Sequence, residues 1–103
     1  MMVIEMNAGT KIKHTINGNK LTLNDEMTLD LSKYERDFDV HIDVCMNGFG
    51  MLTMGLSEKY VAQIEIPARG YIEVPGAEGE ETTFEPVPFL IDNVILTLWS
   101  IEQ

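Results

Sequence analysis

Four side chains with chemical potential share one parity of a single predicted strand: Asp39, His41, Asp43 and Cys45. Imidazole and carboxylates are metal ligands and proton carriers, so a metal site or an acid–base pair is the chemistry this row invites. Strand geometry opposes it. Alternate residues lie roughly 6.6–6.8 Å apart along a strand, so two neighbours can converge on one ion and four cannot. The His41-Ile42-Asp43 triplet matches the start of a facial iron triad, but no histidine follows His41 to complete one. The expectation is a solvated polar face.

The remaining candidates weaken in the same way. His14 shares the parity of Ile12 and Ile16, which predicts a buried imidazole bonded to backbone rather than a ligand. Cys45 sits on the polar parity, where its thiol is expected to be accessible. Neighbouring acids oppose the thiolate that a nucleophile needs. The glycine-rich run from Asn47 to Gly55 lacks the Lys and Ser/Thr of a phosphate loop. Met46, Met51 and Met54 cluster there and suit an adaptable core or a contact surface. Glu78, Glu80, Glu81 and Glu85 do not follow calcium-loop spacing. No catalytic, cofactor-binding or metal-ligating residue is therefore assigned, and no cofactor is expected.

The elements that carry these residues read as strands. Phe38–Met46 alternates apolar and polar with period two. Lys11–Ile16 and Lys20–Leu23 flank Asn17-Gly18, and Asn47-Gly48 joins the 38–46 strand to Phe49–Met54, both hairpin signals of the type I′ kind. Tyr60–Ile66 alternates and stops at Pro67. Tyr71–Val74 and Phe84–Val87 bracket a polar tip, with Pro86 and Pro88 confining the second arm to an edge. Val94–Ile101 is apolar on both faces, which predicts a central strand with Trp99 buried. Met27–Leu31 reads as a strand followed by a helical turn near 32–37. The expected fold is all-β: one domain over 1–103, a small antiparallel β-sandwich or Greek-key barrel of about seven strands.

Composition narrows the function classes. The chain has 103 residues and a net charge of −10, yet 45% of it is hydrophobic, so a packed core is expected. The charge is graded: +2 over residues 1–23, −5 over 24–69 and −7 from Gly70 onward, where there is no Lys or Arg. A negative field repels nucleic-acid backbones, so direct nucleic-acid binding is not expected. One cysteine cannot form an internal disulfide. No run approaches the ~20 apolar residues of a membrane helix, and no leader pattern opens the chain, so the expected compartment is the cytosol.

The functional expectation is a non-catalytic, non-enzymatic protein-interaction or structural module that binds another protein or copies of itself. The candidate surfaces are the 75–83 loop and the edge near Phe84–Phe89. Two alternatives from other classes are an acidic decoy mimicking nucleic acid through the Asp37–Asp43 row, and a small metal-binding protein built on the 39–45 face.

Overall fold

A computed structural model of the protein describes residues 1–102. Its strands are β1 (Met2–Glu5), β2 (His14–Asn17), β3 (Lys20–Leu23), β4 (Met27–Asp30), β5 (Val40–Met46), β6 (Leu52–Met54), β7 (Lys59–Ile66), β8 (Tyr71–Val74), β9 (Thr83–Pro86) and β10 (Ile95–Leu98). Two single-turn 3-10 segments, Leu31–Lys33 and Ile91–Asn93, are the only helical elements among the described residues. The fold is all-β, in keeping with the period-two alternation, with ten strands among the described residues where about seven are expected. They form a five-stranded sheet in the order β1-β10-β7-β5-β6, a three-stranded sheet β2-β3-β4, and a separate β8-β9 pair. No sheet closes into a barrel.

The core lies between one face of the five-stranded sheet and the three-stranded sheet. Register aligns Val3, Leu96, Ile64 and Ile42 in one row across the large sheet, and Leu98, Ala62 and Val44 in the next. Opposite them, Leu21, Leu23, Leu29 and Leu31 join the same apolar cluster. Because alternate side chains project to opposite faces, these apolar rows leave Met2–Ile95–Glu65–His41 and Ile4–Thr97–Gln63–Asp43 on the outer face. The sheets are also tied through a polar contact. The Glu26 carboxylate accepts the Leu52 backbone N–H of edge strand β6 at 2.6 Å.

Several expectations need correction. Strand β10 is second from the edge, with β7 at the centre, and β1 runs parallel to it on the outside. Its Val94–Leu96–Leu98 parity is buried, while Ile95, Thr97 and Trp99 are only half-buried, because the outer face has no covering layer. Trp99 packs instead against Tyr60, with ring centroids 5.9 Å apart. The 38–46 strand begins at Val40 and leaves Phe38 exposed. A bulge between β5 and β7 shifts register after Val44, pairing Cys45 with Tyr60, and the Cys45 thiol is buried rather than accessible.

Turn chemistry differs in detail from the sequence reading. Asn17 pairs with Lys20, so the loop is Gly18-Asn19, with a positive φ of +61° at Gly18 alone. That is the II′ pattern, which places glycine first. The double positive φ of a I′ turn appears instead at Asn24 and Asp25, 56° and 53°. At the second Asn-Gly, the Asn47 side chain accepts the Phe49 and Met51 N–H groups and holds a longer loop with Phe49 at its tip. His14 is half-buried at the start of β2, while Ile16 on the same parity is exposed.

Candidate functional site

Three places concentrate functional side chains. The first is the outer face, where strand pairing sets His41 beside Glu65 and Asp43 beside Gln63. His41 Nε2 lies 2.7 Å from Asp43 Oδ1, and Nδ1 lies 3.6 Å from Glu65 Oε1. Gln63 donates to the same Asp43 oxygen at 3.0 Å. Both ring nitrogens therefore face carboxylates of the chain itself. A cavity of about 250 Å³ opens beside them, walled by Val40, Ile66, Pro67 and Ile95.

The row seen in the sequence is dispersed by the fold. Asp39 lies before the strand and accepts the Ala68 N–H at 2.8 Å, and Cys45 is buried beyond the bulge. Only His41 and Asp43 come together. Asp37 is engaged by Tyr71 and Arg69, so the Asp37–Asp43 acids present no regular row for a nucleic-acid mimic. Burial raises the Tyr60 phenol above its ordinary range, and the Asp43 and Cys45 charges add to the shift. Such a phenol stays neutral at physiological pH. No group of three or more His, Cys, Asp or Glu among the described residues is placed to hold a metal ion.

The second place is the β6 end, where Phe49, Met51, Met54 and Leu56 are all exposed. These side chains therefore lie outside the core. Met46, the third methionine of the sequence cluster, is half-buried.

The third is the hairpin of β8 and β9. Its strands pair with each other and with no third strand. Its ladder starts at the Val87 N–H to Gly70 carbonyl bond, 2.8 Å, and runs through Ile72–Glu85 to Val74–Thr83. At its base Arg69 reaches Glu35 Oε1 at 3.3 Å and Asp37 Oδ1 at 3.5 Å, while the Tyr71 hydroxyl donates to Asp37. These contacts fasten the base of the arm to the 35–37 segment. A smaller cavity of about 170 Å³ lies at this base, between Pro67, Gly70 and the Val87–Leu90 stretch. The tip is ordered by a turn closed from Glu80 N–H to the Ala77 carbonyl, with Gly79 at the φ of +85° that a type II turn demands.

The molecule is elongated. The protein extends 62 Å along its longest axis and about 20 Å across, with a radius of gyration of 17.4 Å. A compact chain of this length would have about 13 Å. Along the arm, Tyr71 and Phe84 lie on one face and Ile72 on the other, 46%, 67% and 54% exposed. Five glutamates, at 73, 78, 80, 81 and 85, accompany them with no cation. The sequence identified this segment as a hairpin with a polar tip. Its lack of a third strand is a tertiary fact that no local pattern carries. The chain matches no family model, and no curated protein or solved structure is significantly similar to it.

Proposed function

We propose that the protein is a non-catalytic interaction module that binds a protein partner along the arm spanning residues 70–87. One observation carries this reading: the β8-β9 pair stands without a third strand and exposes Tyr71, Ile72 and Phe84. A two-stranded hairpin is marginal in water by itself, and a third strand or a packed face supplies what it lacks. Exposed apolar side chains on an extended element are what a partner would cover.

The test is affinity capture from the native host with wild-type protein and an Ile72→Ser/Phe84→Ser variant. Both side chains are more than half exposed, so the variant keeps its fold. Loss of specifically captured protein is expected. Equal recovery by the two proteins would overturn the arm as the binding element.

A further inference from the structure

The backbone of the arm offers only one edge to a new strand. Gly70 and Val87 form a hydrogen-bonded rung, so by antiparallel alternation Ile72/Glu85 and Val74/Thr83 also face inward. Tyr71 and Glu73 on β8, and Phe84 and Pro86 on β9, then turn their main-chain groups outward. On β9 that outward edge lacks a donor at Pro86, and Pro88 follows on the same parity. Prolines so placed are a familiar block to edge pairing. Strand β8 has no proline within it and presents the N–H and C=O of Tyr71 and Glu73, and Pro75, next on the same parity, ends that edge after these two residues.

A matching edge exists at the far side of the large sheet. Strand β1 is its outermost member, and the Met2 and Met6 N–H groups point inward to the Val94 and Leu98 carbonyls, both at 2.9 Å. By the same parity Val3 and Glu5 turn their main-chain groups outward. This edge has no proline, Glu5 is its one charged residue, and Met2, Val3, Ile4 and Met6 are all exposed. The opposite edge of that sheet, β6, is treated differently, since the Glu26 carboxylate occupies the Leu52 N–H.

From these two edges and the charge gradient we infer that the arm's partner is a second copy of this chain, with β8 of one copy added as a strand outside β1 of the next. The inference rests on the arm being the binding element. Each edge spans four residues and offers two outward-facing residues, so the ladders match in length. Charge selects this pairing over arm against arm. Two arms laid together would oppose five glutamates with five more, whereas residues 1–23, with Glu5 as their one acid against three lysines, carry +2. A parallel alignment sends the 75–82 tip past Glu5 towards Lys11, whose ammonium sits over the Asn7 and Gly9 carbonyls. The contact is head-to-tail, since each copy uses different surfaces to give and to receive. Head-to-tail contacts produce rings when the rotation closes and filaments when it does not.

The test uses edge-blocking prolines on the full chain, read by sedimentation velocity. Val3→Pro and Glu73→Pro each remove an outward N–H that no intrachain bond uses. Circular dichroism and Trp99 emission are expected to match the wild-type spectra in both. Wild-type protein is expected to assemble as concentration rises, and each variant alone to run as a single chain. An equimolar mixture is expected to form a dimer of twice the chain mass, because one variant keeps the arm and the other keeps the edge. Assembly of Val3→Pro alone would overturn the inference in favour of arm–arm or other-edge pairing. A mixture that stays monomeric, or a wild-type chain that never assembles, would also overturn it.

A second measurement needs no variant. Carbodiimide crosslinking of mixed isotope-labelled and unlabelled wild-type protein is expected to join Lys11 of one copy to Glu78, Glu80 or Glu81 of another. Crosslinks confined within single chains would count against the inference. Failure here, with host capture still lost in Ile72→Ser/Phe84→Ser, would remove the second copy as partner and leave the arm as a binding element. Assembly that both prolines leave intact, with host capture equal, would remove both readings.

Discussion

Excising the arm separates an accessory element from a structural one. The natural cut is the Gly70/Val87 rung, with residues 71–86 replaced by Asn-Gly to close the hairpin. What the body loses is small. Arg69 keeps its contacts to Glu35 and Asp37, and the Tyr71 hydroxyl bond to Asp37 disappears together with the Tyr71 contact to Arg69. A single exposed hydrogen bond contributes about 1 kcal/mol. Ile72 and Phe84 keep more than half their surface in solvent, so little core burial leaves with them. The shortened protein should therefore match the parent within about 1 kcal/mol, against a total of roughly 5–15 for a domain this size. Urea unfolding followed by Trp99 emission measures the difference. A loss of about 3 kcal/mol or more, the scale of a deleted core side chain, would refute the claim that the arm lies outside the core.

Other consequences follow from single contacts. Glu26→Ala should cost about 1.5–3 kcal/mol by stripping a charged acceptor from the Leu52 N–H, while Glu26→Gln keeps a carbonyl oxygen and should cost less than half of that. Equal losses in urea melts would show that the sheet tie is not this bond. Trp99→Ala should cost about 1.5–3 kcal/mol, below the range of a fully enclosed aromatic, and wild-type emission should be partly quenchable by iodide because the indole is half-buried. A fully quencher-resistant signal would contradict the open outer face. The Ser32 hydroxyl, donating at 2.6 Å, and the Ser32 N–H hold the Asp30 carboxyl below its ordinary range. Its folded value lies below the unfolded one, so its stabilisation is present above about pH 3.9 and fades as pH falls through the folded value. Ser32→Ala should raise the Asp30 midpoint in an NMR titration, and an unmoved midpoint would rule out the hydroxyl as the cause.

What the sequence discloses depends on whether the determinant is local. Alternation at 40–46 and 59–66 marks β5 and β7 because one face of each is buried. The strand expected at 27–31 is β4, and the helical turn expected near 32–37 is a 3-10 turn at Leu31–Lys33 capped by Asp30, whose side chain accepts the Ser32 N–H. Strand β1 escaped notice because Met2–Glu5 has no polar alternation, and its partner β10 lies at the other end of the chain. Cys45 keeps its outer parity, and its burial between Thr53 of β6 and Tyr60 of β7 depends on strand pairing that no local pattern carries. The arm's hairpin was visible in its two strands and prolines. Its isolation, and the free edge on β8, depend on what is absent around it in space.

The most direct test of the arm as a docking element is amide hydrogen exchange on the dilute wild-type protein. The Glu85 and Val87 amides sit in the arm's ladder, and Ile64 and Leu96 in the buried sheet. An element with no third strand opens without unfolding the core, so the arm amides should exchange by local opening and the sheet amides only near the global stability. Raising the concentration until copies assemble should then slow exchange at Tyr71, Glu73, Val3 and Glu5 together. Arm amides as protected as Ile64 in the dilute chain would contradict the account.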